Sequence, residues 1–164
     1  MTLIELLIAL GIAALLMMAL VSMTMFSSKS LAGLYNYVDL CSANRLALDK
    51  MTREIRQTQR LSAMTTNQLT FVDYDGKKLV YQYVPAERAL KRSKDGVEEN
   101  LLTECDTLTF AAFQRNTQKG TFDQGTTNVD SKIINVNWTC SRSILGNRVN
   151  SEPVQSAKIV IRKH

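Results

Sequence analysis

The chain has 164 residues, of which 20 are Lys or Arg, 15 are Asp or Glu and one is His, so that its formal net charge at pH 7 is +5. This length accommodates one domain of ordinary size with a single hydrophobic core. The single histidine is the last residue, His164, and the chain has no P-loop, no glycine-rich dinucleotide turn and no CxxC pair. We therefore expect no enzyme, no catalytic residues, no cofactor and no small-molecule substrate.

Residues 1–26 (MTLIELLIALGIAALLMMALVSMTMF) form an apolar run in which Glu5 is the only charged side chain. As a helix rising about 1.5 Å per residue, this run measures about 39 Å, which exceeds the hydrocarbon thickness of about 30 Å. The run therefore predicts a membrane-spanning helix. No basic region precedes it and no small-residue cleavage site follows it, so we expect it to stay on the protein rather than to act as a secretory signal.

Glu5 places a carboxylate near the start of this run, and a carboxylate in hydrocarbon costs about 2.5 kcal/mol or more unless a partner neutralises it. The first 28 residues contain no Lys or Arg, which leaves an α-amino group as the nearest counter-charge. We expect that the α-amino group of the same chain cannot reach the Glu5 carboxylate, because the two groups diverge along the helix axis. The α-amino group of a neighbouring copy can reach it if the two helices are staggered. Glu5 is interpreted as the residue that sets the register between helices; the alternative is a polar residue tolerated at headgroup depth.

The first ten residues, MTLIELLIAL, strongly resemble the mature N-terminus of the type IV pilin superfamily, which includes type IV pilus subunits and type II secretion pseudopilins. The resemblance implies that a prepilin peptidase removes a short leader and that the new N-terminus, here Met1, is methylated. The numbering then corresponds to a processed chain. Many relatives have a helix-kinking proline where this chain has Ser22, so we expect a straighter helix whose only weak points are Gly11 and Gly33.

The resemblance also implies a structural subunit of a type IV filament, with Met1 and Glu5 as its assembly residues. Its partners are then copies of itself, related pilins and an inner-membrane assembly platform. Before assembly the chain spans the bacterial inner membrane once; afterwards it belongs to a periplasmic or cell-surface filament used for adhesion or motility. A type IV pilus (fimbrium) and a type II secretion pseudopilus stay open as alternatives, as do major and minor subunits.

A function of a different class also stays open, namely a monomeric membrane-anchored module that binds DNA or another polymer. All 20 basic residues and 14 of the 15 acidic residues follow residue 28, so this part of the chain carries 20 − 14 = +6. Net charge bears on association rather than on fold. We do not interpret +6 as a nucleic-acid signal, and the alternative requires the Glu5 motif to be a coincidence.

After the apolar run the helical pattern continues, and we expect one helix from about residue 2 to about residue 60, with residues 27–61 as its amphipathic second half. Charged residues between 49 and 57 lie off the apolar stripe and are interpreted as solvated helix surface. The apolar positions recur at spacings of three, four or seven: Leu31, Leu34, Val38, Cys41, Leu48, Met51 and Ile55.

Residues 62–164 switch to a two-residue period and are predicted to form an antiparallel β-sheet domain. The predicted fold class is α+β, with a long N-terminal helix whose second half packs on the sheet. This order of elements resembles the minor branch of pilins and pseudopilins. A hairpin is expected at 68–84 around Asp75-Gly76, further strands at 88–93, 107–114, 133–140 and 155–162, and loops at 93–96, 116–131 and 144–153.

Two of the three cysteines, Cys105 and Cys140, lie at or beside predicted strands, and the oxidising compartment expected for this chain makes them a candidate disulfide. Closing that loop of about 36 residues contributes roughly 3 to 4 kcal/mol in the chain-entropy model. The alternative is a pair of buried thiols. Cys41 is interpreted as a small apolar residue of the helix stripe or as a link between subunits.

Calcium is the one metal for which the sequence offers candidate ligands. The segment 73–76 (DYDG) is similar to the start of a calcium loop, but the downstream glutamate of that motif is missing and a hairpin turn explains these residues. In the loop 116–131, hard oxygen ligands are present at Asp123, Asn128 and Asp130. Solvation explains a polar loop more simply than ligation does, so we predict no metal site.

Overall fold

The structure, a computed structural model, describes residues 2–116, 119–122, 124–125, 131–144, 147–150 and 154–161. Its first element is helix α1, Leu3–Gln57, which runs without interruption for 55 residues. Gly11, Ser22 and Gly33 all lie inside it, and none of them breaks the helix. The prediction of one long N-terminal helix is confirmed.

The helix ends slightly earlier than the sequence suggests, because the chain becomes extended at Thr58, with φ −78° and ψ 151°. The Thr58 hydroxyl donates a hydrogen bond to the Ile55 carbonyl oxygen at 2.8 Å. This bond satisfies one of the carbonyl groups that a helix end leaves without a partner inside the helix. Residues 58–61, which were predicted as helix, therefore belong to a strand.

The described residues form ten strands, and every strand pair is antiparallel. The first sheet is a meander in chain order, β1-β2-β3-β4-β5, and the second has the order β10-β8-β6-β7, with β9 paired to β8 alone. The predicted α+β class is confirmed, with two sheets in the strand region. The strands are β1 Thr58–Met64, β2 Gln68–Asp73, β3 Lys78–Val84, β4 Ala89–Lys94, β5 Val97–Leu102, β6 Cys105–Gln114, β7 Gln124–Gly125, β8 Ile133–Ile144, β9 Asn147–Asn150 and β10 Val154–Val160.

Two of the turns in the first sheet, β2–β3 and β4–β5, lie at Asp-Gly pairs. Gly76 has φ +74°, and its N–H donates to the Asp73 carbonyl oxygen at 3.0 Å, closing the β2–β3 hairpin. In the β4–β5 hairpin, Asp95 and Gly96 have φ +56° and +79°, the left-handed pair that a two-residue turn between antiparallel strands requires. The predicted hairpin at 68–84 is confirmed.

Four strands were not predicted: β1, β5, β7 and β9. The first four residues of β5 are all exposed, so they lack the alternation of apolar and polar residues that marks a half-buried strand. In β1 the buried positions are three residues apart, and its pairing with β2 shifts register twice. A bulged strand of this kind resembles a helix in its spacing, which explains why the helix was predicted to run into it.

The hydrophobic core lies between the two sheets and the second half of α1. The predicted helix stripe is correct at Met51 and Ile55, which are fully buried, but wrong upstream, where Leu31, Leu34 and Val38 are 50, 59 and 55% exposed. The reason is tertiary, because the strand domain begins to cover the helix only at Leu40. The buried helix face consists of Leu40, Asn44, Ala47, Met51 and Ile55.

Asn44 is the one polar residue on that buried face, and it is 3% exposed. Its Oδ1 accepts hydrogen bonds from the Trp138 indole N–H at 3.3 Å and from the Cys140 thiol at 3.2 Å. A buried amide oxygen without a partner destabilises a fold by about 1 to 3 kcal/mol. The two hydrogen bonds therefore fix the position of Asn44 against β8, and this contact aligns α1 with the second sheet.

The sequence analysis interpreted the charged residues of the second helix half as solvated surface. For Glu54 this interpretation is wrong. Glu54 accepts two hydrogen bonds from Arg92 on β4, at 2.7 and 2.6 Å, and one from the Tyr81 hydroxyl at 2.6 Å. The Glu54 and Arg92 side chains are 13 and 12% exposed. Burial raises the pKa of Glu54, but the hydrogen bonds from Arg92 and Tyr81 outweigh it and hold the pKa below its usual value. Glu54 is an interface residue that joins α1 to the first sheet.

Candidate functional site

Among the described residues, the longest run of exposed side chains is the N-terminal part of α1. Every residue from 2 to 31 is exposed, and Leu40 is the first helix residue that the rest of the chain buries. Among the described residues, α1 is the helix that is long and apolar enough to cross a membrane. We call residues 3–26 the apolar half of α1 and residues 27–39 the stalk.

The two hydroxyl groups within the apolar half are satisfied by the helix backbone. Ser22 donates to the Met18 carbonyl oxygen at 2.9 Å, and Thr24 donates to that of Val21 at 2.8 Å. Such bonds matter in hydrocarbon, where no water is present to satisfy a polar group. The apolar half therefore presents one ionisable side chain, Glu5, and no other polar group that needs an outside partner.

The stalk has a second exposed apolar stripe, separated from the apolar half by the polar residues 27–30 (SSKS). It extends the helix by about 20 Å, and its large apolar residues Leu31, Leu34, Tyr35 and Val38 are all at least half exposed. A contiguous apolar surface of this kind typically marks an interaction site. The stalk is therefore a surface suited to contact with another apolar helix.

Arg142 on β8 marks the point where the stalk enters the strand domain. Its Nη1 donates to Asn36 Oδ1 at 3.1 Å and to Asp39 Oδ2 at 2.9 Å, and its Nε donates to Glu104 Oε2 at 2.7 Å. One guanidinium thus links two helix residues to the second sheet. This link lies just before Leu40 and fixes the direction in which the stalk leaves the domain.

Glu5 caps the helix to which it belongs, a role that the sequence analysis missed. Its Oε2 accepts a hydrogen bond from the Thr2 backbone N–H at 2.9 Å, and the Thr2 carbonyl oxygen accepts from the Glu5 N–H at 3.1 Å. The spacing Thr-x-x-Glu is the signal of a capping box. A carboxylate has about four acceptor positions, so this bond leaves room for a further donor. Met1, the other predicted assembly residue, lies outside the described residues.

The two cysteines of the candidate disulfide, Cys105 on β6 and Cys140 on β8, are direct cross-strand partners. The Ser141 N–H donates to the Glu104 carbonyl oxygen at 2.9 Å, so the cysteines form the narrow kind of pair, in which Cα atoms lie about 4.5 Å apart. Disulfides span Cα separations of about 4.4 to 6.8 Å. Both residues are fully buried thiols in this structure, and the typical separation of such a pair falls within the range that a bridge requires.

We expect that oxidation of this pair raises the free energy of unfolding by roughly 3 to 4 kcal/mol, the loop-closure contribution of about 36 residues. The measurement is chemical denaturation of the full chain in detergent, with and without a reducing agent. Cys41→Ser serves as the matched control and is expected to keep the difference, whereas Cys140→Ser removes it. If both buried thiols still react with a maleimide in the unfolded chain after exposure to oxidised glutathione, the pairing is wrong.

The residues considered as calcium ligands do not come together in one described site. Asp123, Asn128 and Asp130 lie outside the described residues. Asp73 accepts from the Tyr74 N–H at 2.8 Å and from Lys94 at 3.0 Å, and the Lys94 hydrogen bond holds the pKa of Asp73 below its usual value. Within the described ranges, no group of three or more His, Cys, Asp or Glu residues is arranged to hold a metal ion.

The comparisons with known proteins return nothing: no family model, no curated protein and no solved structure matches the chain. The function is therefore inferred from the N-terminal sequence and from the geometry of α1. Glu5 lies near the tip of the exposed helix, whereas the cysteine pair lies in the core of the strand domain. The two candidate sites are separate, and Glu5 alone belongs to the exposed helical surface.

Proposed function

We propose that this protein is a structural subunit of a type IV filament, anchored in the bacterial inner membrane by the apolar half of α1 and polymerising through it. The observation that carries the proposal is that no side chain from residue 2 to residue 31 is buried by the chain itself. A helix that is apolar all round requires either lipid or other helices around it. Lipid surrounds the apolar half before assembly, and neighbouring helices replace lipid in the filament.

Glu5 supports the proposal because a helix held only by apolar contacts has no fixed axial position. Packing between apolar helices in lipid depends on shape and on the few polar groups that form interhelical bonds. The capping bond from Thr2 occupies one position on Oε2, and a carboxylate has further acceptor positions. The α-amino group of a staggered neighbour is the donor that we propose for them, so that Glu5 sets the stagger between subunits.

The type IV pilus is the filament that we propose first, with a prepilin peptidase and an inner-membrane assembly platform as partners. A minor pseudopilin of a type II secretion system uses the same helix in the same way. Both are structural roles that depend on contact between copies or related chains. Both roles differ from that of a membrane-anchored module that stays monomeric.

Cross-linking of the full chain in native membranes tests the proposal. With Leu16→Cys or Met17→Cys in a Cys41→Ser background, we expect a thiol-reactive cross-linker to produce dimers and a ladder of higher oligomers, because both positions are exposed on the apolar half. The control is the same variant at a high ratio of detergent to protein, where the helices are separated. Electron microscopy of purified material is expected to show regular fibres, and monomers alone in both measurements would contradict the proposal.

A further inference from the structure

A polar cavity of about 460 Å³ lies on the strand domain, and five of the residues that the structure describes line it. It is separate from the apolar half of α1 and lies beside the buried cysteine pair, since Asp106 and Ser141 directly follow Cys105 and Cys140 in the chain. Nothing in the filament proposal uses it. We call it the arginine cavity, because two guanidinium groups converge in it. The lining residues are Arg88, Asp106, Ser141, Ser143 and Arg148.

Asp106 holds the two guanidinium groups next to one another. Its Oδ1 accepts from Arg88 Nη2 at 2.6 Å, and its Oδ2 accepts from Arg148 Nη2 at 2.7 Å. The Ser141 hydroxyl oxygen accepts from the same two side chains, from Arg88 Nη2 at 3.1 Å and from Arg148 Nε at 2.9 Å. Both guanidinium groups thus donate to the same two side chains, the Asp106 carboxylate and the Ser141 hydroxyl.

The charge inside the cavity is unbalanced. Burial raises the pKa of Asp106, but the hydrogen bonds from Ser141, Arg148 and Arg88 hold it below its usual value, so this carboxyl is ionised at neutral pH. Arginine stays charged throughout the accessible pH range. Two positive groups therefore surround one negative group, and the cavity has a net charge of about +1.

The outer edges of both guanidinium groups face solvent. The Arg88 side chain is 46% exposed and the Arg148 side chain is 64% exposed, whereas Asp106 beneath them is 19% exposed. Arg88 also has φ +50°, a left-handed conformation that a residue with a Cβ adopts at an energetic cost. This conformation is accompanied by hydrogen bonds from its Nη2 to the Ser141 carbonyl oxygen at 2.7 Å and to the Glu104 carbonyl oxygen at 3.3 Å, which hold the guanidinium over the cavity.

We propose that the arginine cavity binds an oxyanion of the phosphate or sulfate class across the outer edges of Arg88 and Arg148. Paired planar guanidinium groups match the oxygens of such an anion through charge-assisted hydrogen bonds. The Ser143 hydroxyl at the rim adds a neutral donor. The anion is either a free ion or a group carried by an anionic polysaccharide, and the site does not depend on filament assembly.

The experiment is a calorimetric titration of the full chain in a nonionic detergent at low salt, with inorganic phosphate and then sulfate as probes. We expect saturable binding, which Arg148→Gln weakens by about tenfold or more through the loss of charge-assisted hydrogen bonds. Arg148→Lys keeps the charge but not the planar fork, and we expect it to bind with intermediate affinity. Arg60→Gln, an exposed substitution on β1, is the matched control and is expected to bind like the wild type.

Competition then identifies the source of the anion. Displacement of phosphate by heparin, but not by neutral dextran, would assign the site to anions carried on a polysaccharide; retained phosphate binding without displacement would assign it to a free ion. Circular dichroism of each variant establishes that the fold is intact. The proposal is overturned if neither phosphate nor sulfate binds saturably, or if Arg148→Gln and Arg60→Gln change the affinity equally.

Discussion

Glu5→Gln is expected to abolish filament formation while leaving the chain folded and inserted in the membrane. The glutamine side-chain oxygen can still accept the Thr2 N–H, because the capping box works with Glu or Gln at its last position. The amide, however, carries no charge to meet the α-amino group of a neighbour. A hydrogen bond between charged groups contributes about 1.5 to 3 kcal/mol, so losing it at each subunit contact lowers the association constant by about tenfold or more, and a polymer requires that contact at every step.

The measurement is the yield of sedimentable fibres from membranes, checked by electron microscopy. Thr2→Ala is the matched control. It changes the neighbouring side chain but keeps the Glu5 carboxylate and the backbone N–H of residue 2, from which that carboxylate accepts a hydrogen bond. We expect wild-type yield from Thr2→Ala and little or none from Glu5→Gln or Glu5→Ala. Normal fibres from Glu5→Gln would show that the charge has no role in setting the stagger.

Arg92→Ala is expected to lower the free energy of unfolding by about 3 to 5 kcal/mol, because it leaves the Glu54 carboxylate buried without its counter-charge. The pair joins α1 to the first sheet through two hydrogen bonds at 2.7 and 2.6 Å. Denaturation of the full chain in detergent, followed by the fluorescence of Trp138, measures the change. Trp138 is the only tryptophan, and at 1% exposure it reports directly on the core.

Lys91→Ala is the control for this substitution. Lys91 pairs with Glu87 at 2.7 Å on an exposed surface, and we expect a change of about 1 kcal/mol or less for such a pair. Arg92→Ala together with Glu54→Gln is expected to be more stable than Arg92→Ala alone, since the buried charge is removed. Equal effects of Arg92→Ala and Lys91→Ala would mean that the Glu54 pair is no stronger than a surface ion pair.

The same pair also predicts how stability depends on pH. The folded-state pKa of Glu54 lies below its usual value of 4.5, so the pair stabilises the protein above that value, and the stabilisation is lost as the pH falls through the folded-state pKa. In Arg92→Ala, the hydrogen bonds and charge of Arg92 are lost while Tyr81 and Lys50 remain, so the pKa of Glu54 is expected to rise relative to the wild type. The stability difference between wild type and variant should therefore shrink as the pH falls below about 4.

The residues that matter for the candidate assembly surface could be predicted because their properties are local. The apolar run, its single acid and the absence of basic residues up to position 28 are read directly from the chain. The same holds for the β2–β3 hairpin, because an Asp-Gly pair between two alternating segments specifies its own turn. The capping bond of Glu5 was equally local, and the spacing of Thr2 and Glu5 would have revealed it.

Other features depend on residues that are far apart in the chain, and sequence patterns do not contain them. Asn44 looks like a polar surface residue until Trp138 and Cys140 are placed against it. Glu54 looks solvated until Arg92 lies beside it. The arginine cavity joins residues from three strands, β6, β8 and β9, and from the turn before β4, and these residues are up to 60 positions apart, with Arg88 at one end and Arg148 at the other. The partner of each of these residues can be identified only once the pairing and register of the strands are known.

The amino-acid sequence alone determined that this protein has one long helix with an apolar half, one acid near its tip and an antiparallel strand domain after it. These properties follow from hydrophobic periodicity and turn chemistry, which act over a few residues. Only the tertiary structure decided that Leu40 is the first residue of α1 that the strand domain buries, so that most of the stalk stays exposed, and that Cys105 faces Cys140. Coverage and register are set by packing between distant segments, where a shift of one residue reverses the face that each side chain occupies.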